Sequence, residues 1–466
     1  MNTTGAVPGH AGLREAHAHI PMLGVALRTL DVSGCASREE CLERLRARAS
    51  ELAREDPGGR RWLAARGARV NAWREPRWIT RDELDAIAGD RPAFVMSFDH
   101  HALAAGSAAF RAAGIGDADP DPAGGVIERD GRGKPTGLLL ESAAWKVRAA
   151  EPQPEGEERE RVVLEALDHL HALGFGEVHD LLSPAWLGPV LAGLADTGRL
   201  RQRVWLYPAL EEFDAVLASA PEWEDGHHVT LAGAKVFADG TLNARTAWML
   251  EPYADPMPEH PRGMALLSAG DLRRAIERMR AAGVGLAVHA IGDGAVRAVL
   301  DAWEGSRPAG ERHQGWLLAG ARPRAEAGMS RDVGQGVPAL RIEHCELVHP
   351  ADVARFADLG VVCSVQPCHL LYDVEVLRAQ LGDRLDRVLP LRRLVDAGCR
   401  PGELLWFGSD APIVRANPGD SVVAATVRRR TGDTPGGAAC EPIAPGEGVS
   451  EAEAWNAFGR GSVSGG

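Results

Sequence analysis

His17-Ala18-His19 puts two imidazoles two residues apart, the spacing that turns both rings to one side of a β-strand and lets them approach one cation. A second such pair, His169-Leu170-His171, falls in a stretch of helical periodicity (162–173), where positions i and i+2 diverge. Those two rings are expected at the surface or in an interface, not on a shared ion. Four further side chains able to ligate stand at the ends of apolar segments: Lys235, His289, His344 and, just past the last segment, Asp410. Imidazole and carboxylate donors suit zinc or a similar divalent ion, and a coordination position left to water marks a catalytic site. Singly, each has a structural alternative. Asp410 in Gly408-Ser409-Asp410-Ala411-Pro412 can cap a turn, Lys235 can pair with Asp239, and a strand-end histidine can be a hydrogen-bonded core residue. Lys235 also stands out by composition: of 52 basic residues only Lys134, Lys146 and Lys235 are lysines.

What would position these groups is an alternation of short apolar runs and helical stretches, the pattern of a parallel α/β architecture. Eight core strands are predicted at Leu13–His17, Phe175–His179, Val204–Tyr207, Val229–Phe237, Gly285–His289, Leu340–His344, Val361–Gln366 and Leu404–Gly408. Eight strands with intervening helices imply a (β/α)8 TIM barrel, whose strand C-termini open on one face, so six residues spread from 17 to 410 would meet at one mouth. Helix starts are marked by Ser37-Arg38-Glu39-Glu40, Ser268-Ala269-Gly270-Asp271 and Ser450-Glu451-Ala452-Glu453. Gly174 closes the helix predicted from Glu157 to Leu173.

Three segments are expected: residues 1–39 as the barrel start, 40–150 as an inserted α+β subdomain after strand 1, and 151–466 as the rest of the barrel. Within the insertion an extra strand pair is predicted at Ala68–Trp73 and Ala93–Phe98, and Asp117–Pro135, rich in Gly, Pro and Asp, reads as surface turns. Gly305–Val337 reads as a surface loop. A formal net charge of −13 argues against a nucleic-acid partner. No apolar run approaches the ~18 residues of a membrane span. Met1–Gly12 lacks the character of a signal peptide, and the seven cysteines are scattered with no CxxC pair, which points to a reduced, cytoplasmic chain.

The order HxH, Lys, His, His, Asp resembles the amidohydrolase superfamily, and more narrowly its family 3 branch, which includes N-substituted formamide deformylase-like enzymes. The resemblance is carried by 232–242 (Ala232-Gly233-Ala234-Lys235 through Leu242), Arg245-Thr246-Ala247, Val288-His289-Ala290-Ile291-Gly292-Asp293, Arg341-Ile342-Glu343-His344, Ser364-Val365-Gln366-Pro367 and 408–412. Ser97-Phe98-Asp99-His100-His101 and 135–141 carry it through the inserted segment. It implies two divalent ions, zinc by preference: His17, His19 and Asp410 on one, His289 and His344 on the other, with Lys235 carboxylated by carbon dioxide to a bridging carbamate. A bridging hydroxide would attack the carbonyl, and Asp410 would be the catalytic proton shuttle. Asp99, His101, Arg245, Gln366 and His369 are the residues expected to bind a small-molecule substrate.

Two departures go with the resemblance. The family's flanking β-sandwich is not found before His17 or after the helix at 450, which leads us to expect either a homodimer covering the surface that the sandwich would shield or marginal stability, and Glu15 stands where an Asp is usual. The alternative readings are a mononuclear hydrolase of a cyclic amide or ester, and a truncated, non-catalytic barrel that only binds a ligand.

Overall fold

The computed structural model describes residues 12–70, 73–98, 102–122, 125–224, 228–306, 337–435 and 437–459. Apart from its end residues, the loop expected at 305–337 lies outside them. Contacts divide the chain into two units, Met1–Leu23 with Glu160–Gly466, and Gly24–Arg159. The second unit starts and ends outside the bounds 40 and 150 drawn from sequence. It takes in the short strand Leu30–Asp31, which pairs with Leu63–Ala68, and the whole helix Arg38–Glu55, whose Leu42, Leu45 and Leu52 enter the same apolar core.

In the first unit the eight expected strands form at Leu13–Ala18, Phe175–Leu181, Arg203–Tyr207, Val229–Leu231 continued by Gly233–Phe237, Gly285–Ala290, Leu340–His344, Val362–Val365 and Leu405–Phe407. Every pairing among them is parallel. They form two sheets, one from Leu13–Ala18 to Val229–Leu231 and one from Gly233–Phe237 to Leu405–Phe407, and two seams join them. At one, Lys235 N–H donates to Pro208 O at 2.8 Å and Leu210 N–H donates to Lys235 O at 3.0 Å. At the other, Asp410 N–H donates to His17 O at 2.6 Å and His19 N–H to Ala411 O at 2.9 Å. The unit is therefore α/β and TIM-barrel-like, with strand C-termini on one face.

Period-two alternation sorts the side chains of these strands. Leu286, Val288, Ile342, Cys363 and Phe407 join a core shared with helix residues such as Leu272, Ile276, Val296 and Leu300. Leu181, Trp205, Tyr207, Ala287, Val362 and Trp406 form a separate inner cluster. Helices end as the sequence signals require. Ser268 and Asp271 form a reciprocal capping box on Ala269–Ala282, as do Ser450 and Glu453 on Glu451–Ala457. At Ser37 only half the box forms, because the Glu40 carboxylate accepts from Ala36 N–H instead of Ser37 N–H.

The second unit carries a six-stranded mixed sheet in the order Leu30–Asp31, Leu63–Ala68, Ala93–Ser97, Ala102–Ala105, Pro135–Glu141, Gly125–Arg129. Two expectations are corrected here. The strand placed at Ala68–Trp73 runs instead at Leu63–Ala68, where Leu63 and Ala65 are buried and pair beside Ala93 and Val95. The stretch read as surface turns, Asp117–Pro135, contains the strand Gly125–Arg129, held by antiparallel pairing to Pro135–Glu141 despite its polar composition.

Candidate functional site

His17 is 1% exposed and its Nδ1 lies 2.7 Å from Glu343 Oε2. A carboxylate can only accept, so Nδ1 carries the proton and Nε2 keeps its lone pair. That lone pair faces Asp410 Oδ1 at 3.4 Å, and His19 Nε2 lies 2.9 Å from the same oxygen. His17 and Asp410 are thus two acceptors turned toward each other, an arrangement that a cation between them reconciles. Burial, then the charge of Lys235, pushes the His17 imidazole down to about 4, which keeps it neutral and able to ligate. Burial alone would raise Asp410, but His17 and His19 hold its carboxyl well below the usual range.

His344 and Asp410 reach this cluster against local preference. Glu343 faces inward, so alternation would turn His344 outward; instead His344 has φ +74° and Cys345 φ +44°, and the reversed backbone brings the His344 ring to 5.0 Å from that of His17 and 4.5 Å from that of His289. Asp410 has φ +64°. Such left-handed conformations at non-glycine residues are costly and gather where function holds them. Gly408 permits the close approach of the 408–412 turn, since a Cβ there would stand 2.6 Å from His17 N. Glu15 ties the same turn down: its Oε1 accepts from His17 N–H at 3.1 Å and Ser409 N–H at 2.7 Å, and burial raises its carboxyl to about 8.

His289 Nε2 lies 3.1 Å from Gly240 O, so Nε2 donates and Nδ1 retains a lone pair. Burial, then Lys235, lowers this ring to about 3. His344 is held well below its ordinary value by burial and by the neighbouring rings, and its Nδ1 is buried with no hydrogen-bond partner among the described residues. Lys235 is 2% exposed, and its charge acts on His17, His289 and His344. It makes no ion pair with Asp239 among the described residues: that carboxylate accepts from the Trp248, Ile291 and Gly292 amides. Burial lowers the Lys235 ammonium to about 8. Donor atoms of His17, His344 and Asp410 lie within 4.8 Å of one another, and so do those of His344, Glu346 and His369. The first set, neutral imidazoles with an ionised carboxylate, fits a divalent cation.

Of the residues expected to bind substrate, Gln366 and His369 join the cluster. The Gln366 amide nitrogen is 3.2 Å from His17 Nδ1, and His369 Nε2 is 3.8 Å from Asp410 Oδ2. Arg245 does not join it; its guanidinium holds Asp255 at 2.6 Å. Asp99 and His101 lie outside the described residues. His169 is half-buried and His171 exposed, on the helix Glu157–Ala172. Sequence reasoning missed the support behind His17. Arg341, fully buried, pairs with Glu343 and also reaches His179, Ala16 O and Ser364 Oγ, so that Glu343 is held ionised, against its burial, and fixed in place. The signal was present: Arg341 and Glu343 alternate with Leu340 and Ile342, and charges facing a barrel interior survive only when paired.

Residues 10–462 match the Amidohydrolase family. The chain is 29% identical to the amidohydrolase YtcJ of Bacillus subtilis over 432 residues, covering 90% of this chain and 73% of that protein. It is 27% identical to the N-substituted formamide deformylase of Arthrobacter pascens over 489 residues, covering 97% and 80%. Among solved structures, a metal-dependent hydrolase from Pyrococcus furiosus aligns with a TM-score of 0.66 at 27% identity, covering 95% of this chain and 80% of that one. No described helix is long and apolar enough to cross a membrane.

Proposed function

Because the chain belongs to the amidohydrolase family, we propose that it hydrolyses the C–N bond of an amide or N-substituted formamide at the centre formed by His17, His19, Lys235, His289, His344 and Asp410. The observation that carries this reading is the convergence of neutral, buried imidazoles on the ionised Asp410, with His17 Nε2 and Asp410 Oδ1 facing each other at 3.4 Å. Likeness to a formamide deformylase supports the choice of bond. A divalent cation bound there, zinc by its donor set, supplies Lewis acidity toward a carbonyl oxygen and lowers the pKa of water.

The chain's own groups have the following roles. Glu343 fixes the His17 tautomer, so that Nε2 is always the ligating atom. Asp410 accepts the proton of the attacking water and returns it to the departing nitrogen, as general base and then general acid. Gln366 and His369 orient the substrate beside it. Lys235 adds to carbon dioxide through its free amine, forming one N–C bond and releasing one proton. The anionic carbamate replaces a group that could not ligate, and it belongs to a two-ion centre.

A panel of N-formyl and N-acyl amines assayed with added zinc tests the reading, with the released amine and carboxylate quantified together. Turnover is expected for at least one formamide and is expected to stop on chelation. No turnover across the panel in zinc-loaded protein overturns it.

A further inference from the structure

Glu346 follows His344 by two residues and is 8% exposed. Its carboxylate makes no hydrogen bond among the described residues. The nearest nitrogen partner is the His369 ring, whose Nδ1 is 3.8 Å from Oε1, beyond hydrogen-bond reach. No Arg or Lys of the described residues lies within 4.0 Å of it, and burial, then the charges of Asp373, Asp239 and Asp410, raises its carboxyl well above the usual carboxylate range. A buried carboxyl group left without a hydrogen bond is costly, and the cost is offset where a ligand brings the missing partner. A nearby observation points the same way: His369 Nε2 is buried without a hydrogen-bond partner. Donor atoms of Glu346, His344 and His369 lie within 4.8 Å of one another. The position bears on substrate, because His369 spans from Glu346 to Asp410, with 3.8 Å on each side.

We propose that Glu346 recognises a positively charged nitrogen carried by the substrate, so that the preferred substrates are amides or formamides whose N-substituent ends in an ammonium or amidinium group. The proposal rests on the hydrolase reading above. An organic cation suits this position better than a separate metal ion. His344 already serves the proposed centre, which leaves one carboxylate and one imidazole, fewer than the three protein ligands of an ordinary zinc site.

The test compares N-formyl-1,3-diaminopropane with N-formylbutylamine, matched in length and differing in charge, on zinc-loaded wild type and on Glu346→Gln. A charged hydrogen-bonded contact corresponds to roughly ten- to a hundredfold in affinity. Wild type is therefore expected to prefer the diamine derivative by about tenfold or more in kcat/KM, mostly through KM. Glu346→Gln is expected to erase that preference while keeping its metal content and its rate on the neutral compound. An unchanged preference in Glu346→Gln overturns the proposal. A loss of bound metal in that variant also overturns it, because the carboxylate would then be holding an ion. If wild type hydrolyses neither compound, the hydrolase reading is decided by its own panel and the present proposal by binding. Calorimetric titration of the same two compounds into the same two proteins then decides: tighter binding of the diamine derivative that Glu346→Gln abolishes upholds cation recognition, and equal binding overturns it.

Discussion

Lys235 shows how environment changes what a side chain can do. An amine of pKa about 8 is about one-tenth neutral at pH 7, whereas at its ordinary 10.5 it would be neutral in well under one molecule per thousand. Only the neutral amine adds to carbon dioxide, so carboxylation should increase as pH rises through about 8. Metal-free protein given zinc at a fixed carbon dioxide pressure should regain bound metal faster at pH 8.5 than at pH 7, and should regain little when carbon dioxide is stripped out. Rates that ignore both variables would remove the carbamate from the scheme. Asp410→Asn keeps a ligating oxygen but cannot accept a proton, so kcat should fall by about 10²- to 10⁴-fold while the far-ultraviolet circular dichroism stays unchanged. Wild-type turnover in that variant would deny Asp410 its shuttle role. At this scale the sequence was informative about residue types and not about their support. His17, Lys235 and Asp410 could be named from position alone, whereas the contacts of Glu343 and Glu15 depend on residues far away in the chain.

Among the elements, the turn at 408–412 carries the most consequence, since it closes one seam of the ring and delivers Asp410 to His17. Gly408→Ala would put a Cβ 2.6 Å from His17 N. The expected result is a weakening of zinc binding by about ten- to a hundredfold, the size of effect seen when outer supports of metal ligands are disturbed. Secondary structure should survive, and calorimetric zinc titration reads the loss; wild-type affinity would show that the close approach is dispensable. The barrel strands were legible because runs such as Gly285–Ala290 are short, largely apolar and bounded by glycines, and because Leu340 and Ile342 alternate with charged residues in Leu340–His344. Gly125–Arg129 was hidden because only Ile127 of it is buried, so no alternation marks it in the sequence. Leu63–Ala68 was displaced because its Ala-Ala-Arg-Gly run lacks the β-branched residues that signal a strand. The reversed backbone at His344 had no local signal, since no glycine announces a positive φ there.

For the whole molecule, two compact units with separate apolar cores imply that metal stabilises only the unit whose residues bind it. At zinc a hundredfold above its dissociation constant, linkage gives ~2.7 kcal/mol. Differential scanning calorimetry should resolve two transitions, of which chelator lowers one by a few degrees and leaves the other in place. A single transition that chelator shifts as a whole would mean that the units unfold together. The metal content of purified wild type beside Lys235→Arg, by mass spectrometry, bears most directly on a centre built from His17, His19, Lys235, His289, His344 and Asp410. Arginine keeps the positive charge but cannot become a carbamate. About two equivalents of zinc per chain in wild type and only a small fraction of one in the variant are expected; a metal-free wild type, or equal contents in both proteins, would contradict the centre described here.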